Sequence, residues 1–422
     1  MSKRQRRSPA PIRVGVIGVG RGQTFMHQAA AAGMKLVAIC DVWKERLKQV
    51  GKQYGIATYT DYDKFLEHDL DAVVLANFFH EHAPFAIKAL RAGKHVMSEC
   101  AACGTLAEGV ALCRAVEQTG KIYMFAENYP YTAFSLELAR LYKAGEIGRV
   151  LYAEGEYNHP GSFPWHMGIA PGLRHWRNNL PATYYCTHAM APLMVATDTM
   201  PKRVNGFVAR LPLDSKRPRL WKQQDMAGII MAVMDNDAVF KLLQTGLPGH
   251  SIFYRLHGER GLMETGRGPG YWGPGNVRIV HEDYDCHPGE PTERSYYPGF
   301  PAWAEAAMRA GHGGGDWFTN HYFAEAIRTG KQPYLNVYRG VAMSVIGILA
   351  WKSVLANGAS FDVPDFRREA ARRAVENDTW RPLDLDNPDA PPVNSRGRRQ
   401  VIPAALNQAR RIWKDMGFRE EP

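Results

Sequence analysis

A doubly wound α/β domain on a parallel sheet, followed by an α+β domain with a large, mostly antiparallel open sheet, is the fold class predicted for this 422-residue chain. Three observations predict it. Strand-like and helix-like runs alternate with short connections up to about residue 130, the pattern of a parallel sheet covered by helices. The first strand-like run ends in a glycine-rich turn. Beyond that point strand-like runs follow one another with few helices between, and such runs pair antiparallel.

The opening run Val14-Gly15-Val16-Ile17 closes on Gly18-Val19-Gly20-Arg21-Gly22, with a helix expected from Thr24 to Ala32. A second strand, Lys35 to Cys40, ends at Asp41. Glycines at a strand-to-helix turn let the backbone approach a pyrophosphate, whose charge rests on the free N–H groups of the helix start. Gly18, Gly20, Arg21 and Gly22 are therefore candidate cofactor contacts in a Rossmann unit. Asp41, about 20 residues beyond Gly18, stands where a carboxylate accepts hydrogen bonds from an adenosine ribose. A 2′-phosphate there meets like charge, so the expected cofactor is NAD rather than NADP. The pattern departs at position 23, where the third glycine is expected: Gln23 stands there, with Gly22 one residue early.

The alternation continues with a buried strand at Ala72–Ala76 and a helix from His82 to Ala92 closed by Gly93. Then come a strand at His95–Glu99, a helix from Thr105 to Thr119 closed by Gly120, and a strand at Ile122–Ala126. Glu127 ends that last strand at the carboxyl edge, where doubly wound sheets bind ligands. The second half opens with a helix, Phe134 to Ala144, and a strand, Arg149 to Tyr157. Further strands are expected at Val204–Leu211, Gly228–Met234, Ala238–Thr245, Ile252–His257 and Val277–Val280, with Asn236-Asp237 as a hairpin turn. Helices at Trp317–Thr329 and Arg339–Leu355 pack on that sheet. After Phe361 the chain is rich in proline and arginine; Asp386–Arg399 reads as an extended arm and Ala404–Met416 as a last helix. The division expected is a disordered basic N-terminus (1–10), a Rossmann domain (11–130), an α+β substrate and oligomerisation domain (131–365) and a C-terminal extension (366–422). An open sheet has a second face to hide. A homo-oligomer, dimer or tetramer, is therefore expected, with the arm reaching toward a neighbour.

The net charge is +10 and the pI near 9.2. The excess collects in Lys3-Arg4-Gln5-Arg6-Arg7 and in the C-terminal arginines, and neither cluster alternates with the aromatics of a single-strand binding groove. No nucleic-acid partner is expected. Arg6-Arg7 has no apolar run after it, and Val341–Leu355 is broken by Ser344, Lys352 and Ser353, so neither export nor membrane insertion is expected. Six scattered cysteines form no disulfide framework, which fits a cytoplasmic enzyme. Cys100-Ala-Ala-Cys103 is one C-x-x-C pair, readable as a redox motif or as two thiols packed at a helix start. His80-Glu81-His82 offers metal-binding residue types, but adjacent side chains point apart, so no metal is expected.

The stretch Ala76-Asn77-Phe78-Phe79-His80-Glu81-His82, continuing through Gly93-Lys94-His95-Val96-Met97-Ser98-Glu99, resembles the glucose–fructose oxidoreductase/inositol dehydrogenase/MocA family. The resemblance covers roughly residues 11 to 365. It implies that Asn77, His82, Glu99 and Asn128 join the cofactor contacts. Where the family has the lysine of Glu-Lys-Pro, this chain has Cys100. The strings Glu99-Cys-Ala-Ala, Ala126-Glu-Asn-Tyr-Pro-Tyr131, Ala153-Glu-Gly-Glu-Tyr157, Tyr185-Cys-Thr-His188 and His312-Gly-Gly-Gly-Asp316 are similar to the NAD-dependent glycosidase branch, whose members also lack that lysine.

That resemblance implies a sugar or glycoside substrate and a definite division of labour. His188 is the expected base at the hydroxyl that loses hydride. Tyr157 is the expected base at the neighbouring C2–H, with Glu127 tuning it and Tyr185 beside them. A tyrosine acting at neutral pH needs a cation or an oxyanion-stabilising donor nearby, and Arg177 in His175-Trp176-Arg177 is the candidate. Without the resemblance, His188 reads more readily as a structural histidine on a strand, and Tyr157 and Tyr185 as core aromatics rather than catalysts. Trp176, His312 and Asp316 are candidate substrate contacts, although His312 and Asp316 also suit the capping of the helix at Trp317. Aromatics near Phe163-Pro-Trp165 and Tyr271-Trp272 suit sugar stacking or loop anchoring alike. Three functions compete: a redox-neutral glycosidase, a sugar or inositol dehydrogenase releasing NADH, and a non-catalytic NAD- or sugar-sensing module.

Overall fold

In the computed structural model, residues 10–159, 163–210, 224–267, 275–286, 288–397 and 403–418 are described. The first sheet holds β1 (Ile12–Ile17), β2 (Met34–Cys40), β3 (Ala57–Tyr59), β4 (Ala72–Leu75), β5 (His95–Ser98) and β6 (Tyr123–Phe125). Its order is β3-β2-β1-β4-β5-β6, all pairs parallel. The helices between its strands are α1 (Gly22–Ala29), α2 (Lys44–Tyr54), α3 (Tyr62–Glu67), α4 (His82–Arg91) and α5 (Leu106–Thr119). Every residue of β4 is buried, as a strand covered on both faces requires. The order reverses between β1 and β4, and the crevice outside the carboxyl ends of these strands is where such sheets take their ligands.

After α6 (Ala133–Lys143) comes β7 (Val150–Asn158), followed by α7 (Phe163–Ile169), α8 (Trp176–Asn179) and α9 (Thr187–Thr197). The strands β8 (Pro201–Ala209), β9 (Ala227–Met234), β10 (Val239–Thr245), β11 (Ser251–Gly258), β12 (Gly261–Thr265), β13 (Val277–His281) and β14 (Glu293–Tyr296) come next. They are followed by α10 (Ala304–Met308), α11 (Gly315–Thr329), α12 (Val337–Leu355), β15 (Phe361–Asp362), α13 (Glu369–Arg373) and α14 (Pro403–Asp415). The nine strands run β14-β13-β12-β11-β7-β10-β9-β8-β15. All neighbours are antiparallel except β7 and β10. One face, carrying Ala153, Gly155, Val204, Gly206, Ile230 and Phe240, is buried under α6, α9 and α12. Close approach explains the glycines. A Cβ at Gly206 would stand 2.1 Å from the Ala350 carbonyl oxygen of α12, and one at Gly155 would stand 2.0 Å from that of Ala189 in α9.

The α12 helix is long and apolar enough to cross a membrane by length and composition, yet 83% of its most apolar window is buried inside the fold, as a core helix requires. Two sequence expectations are corrected. His188 lies in the first turn of α9 rather than on a strand. The Asp386–Arg399 segment, described to residue 397, folds back on its own chain in successive turns. The Pro392 carbonyl accepts from the Trp351 indole at 2.9 Å, and Asp225 accepts from the Ser395 N–H at 2.8 Å. The first of these bonds satisfies the buried Trp351 indole N–H. The basic N-terminus, Leu211, Tyr271-Trp272 and the Phe163 side chain lie outside the described residues.

Candidate active site

The glycine turn divides its work among three positions. Gly18 has φ +92°, and a Cβ there would stand 2.2 Å from the Ala76 carbonyl oxygen, so only glycine fits between β1 and β4. A Cβ on Gly22 would press on Val16 at 2.7 Å. Gly22 therefore does the helix-to-strand packing expected of a third glycine, one residue early. A Cβ on Gly20 would meet nothing within 4 Å. That open backbone at the start of α1 suits a diphosphate. Asp41 accepts from the Val19 N–H at 2.7 Å and the Trp43 N–H at 2.8 Å, which fixes its carboxylate beside the turn with lone pairs to spare for ribose hydroxyls.

Four buried polar atoms at this edge have no hydrogen-bond partner among the described residues: Asn77 Oδ1, His82 Nε2, Glu127 Oε2 and Asn128 Oδ1. Such atoms cost about 1–3 kcal/mol each when left unmet. Burial pushes the His82 pKa down, so the ring is neutral. With Nδ1–H donating to the Ala101 carbonyl at 3.0 Å, Nε2 is an acceptor. Orphaned acceptors beside an open glycine cradle fit a dinucleotide carrying ribose hydroxyls and a carboxamide. Gly18, Gly20, Asp41, Asn77, His82 and Asn128 are the residues that would hold it.

Arg21 does not reach outward. Its Nε donates to Glu99 at 2.6 Å, and its Nη atoms to Asp316 at 2.8 and 3.2 Å. Asp316, with its side chain fully buried, also accepts from Asn128 Nδ2 at 2.8 Å and pairs with His312 Nδ1 at 2.6 Å. Burial opposes its ionisation, but the His312 hydrogen bond and the Arg21 charge hold its pKa far below the usual carboxylate range. Gly314 takes the capping position of α11 and Asp316 lies inside its first turn. Asp316 is thus neither the helix cap nor an open sugar contact. It joins the glycine turn to the second domain.

The candidate catalytic groups meet where β6, β7 and α9 converge. His188 Nδ1 lies 2.6 Å from Glu127 Oε1, and both side chains are buried. The carboxylate makes Nδ1 the donor and leaves Nε2 as the basic nitrogen. The His188 ring is 4.6 Å from that of Tyr157, 5.0 Å from that of Tyr185 and 4.4 Å from that of Tyr129, centroid to centroid. Two features hold His188 there. Gly155 lets α9 settle on β7, two residues from Tyr157. Pro192 has no N–H for the His188 carbonyl one turn earlier, and the Tyr254 hydroxyl donates to that carbonyl instead at 2.8 Å. Tyr129, directly after Glu127 and Asn128, was not singled out from sequence; its position at a strand's carboxyl edge was the available signal.

Arg177 lies over Trp176 at 4.3 Å and within 5.7 Å of the Tyr185 ring. Trp176 in turn stacks on Phe79 at 5.1 Å, which brings the start of α8 to the edge of the first sheet. Burial pushes the Tyr185 phenol well up, against the pull of Arg177, so Tyr185 is a donor. Trp165 is exposed and stands 4.8 Å from the His159 ring. Cys100 lies at the same centre: its sulfur, a Glu127 oxygen and a His188 nitrogen lie within 4.8 Å of one another. Burial, with Glu99 and Glu127 nearby, pushes its pKa well up and keeps it a thiol. Tetrahedral zinc ligands stand about 3.3 Å apart, so the 2.6 Å Glu127–His188 contact is a hydrogen bond rather than a preformed metal site. Cys103, buried and also pushed up, has no solvent-facing thiolate for redox chemistry.

Residues 12–127 match the model of the oxidoreductase family with an NAD-binding Rossmann fold, and residues 194–372 match that of the glycosyl hydrolase 109 C-terminal domain. A glycosyl hydrolase family 109 protein of Shewanella sp. (strain ANA-3) is 26% identical over 406 residues, covering 86% of this chain and 87% of the relative. An alpha-N-acetylgalactosaminidase of Shewanella oneidensis is 24% identical over 405 residues, covering 86% of each. Among solved structures, levoglucosan dehydrogenase in complex with NADH and levoglucosan superposes with a TM-score of 0.71 at 21% identity, covering 84% of this chain and all of that one. An inositol dehydrogenase homolog from Azotobacter vinelandii, complexed with NAD+, gives 0.69 at 19%, covering 84% and 98%. The chain belongs to the NAD-binding glucose–fructose oxidoreductase/inositol dehydrogenase/MocA family, in its glycosyl hydrolase 109 branch. It is an NAD-dependent enzyme.

Proposed function

We propose that the protein is a redox-neutral glycosidase that oxidises a sugar hydroxyl at C3, eliminates the anomeric substituent, adds water and reduces the ketone again. The single observation that carries this reading is the Glu127–His188 pair set against Tyr157, two proton acceptors within one ring contact of each other. Bound NAD supplies hydride acceptance and return. His188 Nε2 takes the hydroxyl proton as hydride leaves C3, with Glu127 stabilising the imidazolium. The ketone acidifies C2–H, and Tyr157 takes that proton. Tyr185, a protonated phenol beside the site, and Arg177 suit the developing enolate oxygen.

Cys100 supports the reading as well. The position that carries the family's lysine holds a neutral thiol here, so that ammonium is missing from alcohol oxidation. A cycle needing only a transient ketone tolerates the loss better than net oxidation does. The glycosidase relatives favour a glycoside substrate. We also place the enzyme in the cytoplasm, where unpaired cysteines such as Cys40, Cys100, Cys103, Cys113, Cys186 and Cys286 persist.

The test is to assay the purified protein for bound NAD and incubate it, with no added cofactor, with α- and β-nitrophenyl hexosides and 2-acetamidohexosides. Catalytic release of nitrophenol from one of them is expected. Substrate-dependent release of NADH with no glycoside cleavage would make it a sugar dehydrogenase instead.

A further inference from the structure

Elimination from a 3-keto glycoside leaves negative charge on the departing anomeric oxygen, and neither the Glu127–His188 pair nor Tyr157 is placed to serve three atoms at once. A second histidine–carboxylate pair stands across the site. His312 Nδ1 is 2.6 Å from Asp316 Oδ2; the histidine side chain is 38% exposed and the carboxylate is fully buried. The other oxygen of Asp316 is taken by Arg21 and Asn128, each at 2.8 Å, so the carboxylate cannot turn. An acceptor-only carboxylate makes Nδ1 the donor and leaves Nε2 to give or take a proton. The His312 ring lies 6.3 Å from that of Tyr129, whose centroid is 4.4 Å from that of His188. The His159 ring stands 5.8 Å from that of Tyr157, within range of the charges of both His188 and His312. The backbone supports the placement: His312 has φ +51°, uncommon for a residue with a Cβ, and Gly313 and Gly314 follow it at +60° and +94°.

We propose that His312, oriented by Asp316, is the general acid that protonates the departing anomeric oxygen and the base that then activates water. The inference rests on the glycosidase reading above. In the first half, Tyr157 as its phenolate takes the C2 proton, the C2–H electron pair forms the C1=C2 bond, the C1–O bond breaks, and the aglycone oxygen takes the Nε2 proton of the His312 imidazolium, which stays paired with Asp316 through Nδ1. The aglycone leaves as a neutral alcohol. In the second half, water adds to C1, its proton passes to His312 Nε2, and C2 regains a proton from Tyr157. Each group ends as it began, and the sum is hydrolysis.

The test compares nitrophenyl and methyl glycosides of the sugar that the wild type cleaves. A nitrophenolate needs no proton to leave, whereas a methoxide does. His312→Gln is expected to lower kcat/KM on the methyl glycoside by about 10²–10⁴-fold and on the nitrophenyl glycoside by less than about tenfold. In deuterated water, the methyl glycoside recovered from the variant should carry deuterium at C2, because proton abstraction continues while departure stalls. Bound NAD should match the wild type. Equal losses on both substrates, or recovered glycoside without label, would overturn the assignment while leaving the glycosidase reading intact. In the wild type, rates should hardly depend on aglycone acidity, and a steep dependence would overturn it even if the variant does not fold. No cleavage of any glycoside by wild type with NAD bound would remove both readings.

Discussion

At the residue scale, the site is organised by two buried carboxylates, each aimed at one histidine. Glu127 fixes the His188 tautomer and Asp316 fixes that of His312. Asp316 carries more, because it also holds Arg21. Replacing it by Asn leaves Arg21 with Glu99 alone and should cost about 3–5 kcal/mol at neutral pH, the usual penalty for breaking a buried pair. The sign of the pH dependence follows from its lowered pKa. Its stabilisation is complete above the ordinary aspartate value of about 3.9 and is lost as the pH falls below it, by about 1.4 kcal/mol per unit. Denaturant unfolding of wild type and Asp316→Asn should therefore show a gap that is constant from pH 7 to about 5 and narrows below about 4. A gap that widens in acid would contradict the ion-pair account. The sequence strings had pointed to His312 and Asp316 without distinguishing a cap from a contact. Spacing within one string cannot show that Arg21, nearly three hundred residues earlier, closes on the same carboxylate.

At the element scale, the glycine turn, the alternation of β1 to β6 and the change to an antiparallel sheet were all legible, because periodicity and glycine placement act locally. What escaped was set by tertiary contact. The string around His188 looked strand-like because its helix is apolar on every side; α9 is buried against β7, and its interior proline weakens the helical signal further. The short β12, β14 and β15 strands draw their stability from neighbours rather than from their own sequences. The α9–β7 contact is also the lever on the chemistry. Gly155→Ala forces a methyl against the Ala189 carbonyl, so α9 must move away from Tyr157. We expect a loss of about 1–3 kcal/mol in stability and about 10²-fold in glycoside turnover, with NAD still bound. Unaltered turnover in that variant would show that the His188–Tyr157 approach is not critical.

At the scale of the whole molecule, one face of the nine-stranded sheet has no helix on it among the described residues. Phe207, Ile229 and Leu243 lie opposite one another across β8, β9 and β10 on that face, and Phe207 is 51% exposed. Beside them a charged row joins Arg255, Glu264, Arg278 and Glu293 in consecutive ion pairs. Alternating charge next to an apolar strip is self-complementary under a two-fold axis. We propose that two copies pair through this face. Light scattering at micromolar concentration should find a dimer or tetramer, and Ile229→Glu should shift it toward monomer. A monomeric wild type would remove the proposal. The C-terminal extension packs on its own chain at α7, where its Trp413 indole donates to the Met167 carbonyl.

In the proposed reaction, hydride leaves C3 and returns within one catalytic cycle. The most direct measurement is turnover of a cleaved glycoside in deuterated water, without added cofactor, followed by NMR of the product sugar and by nicotinamide absorbance. One deuterium at C2 of the product and no net accumulation of NADH over many turnovers are expected. One NADH released per sugar consumed, with C2 unlabelled, would contradict this cycle.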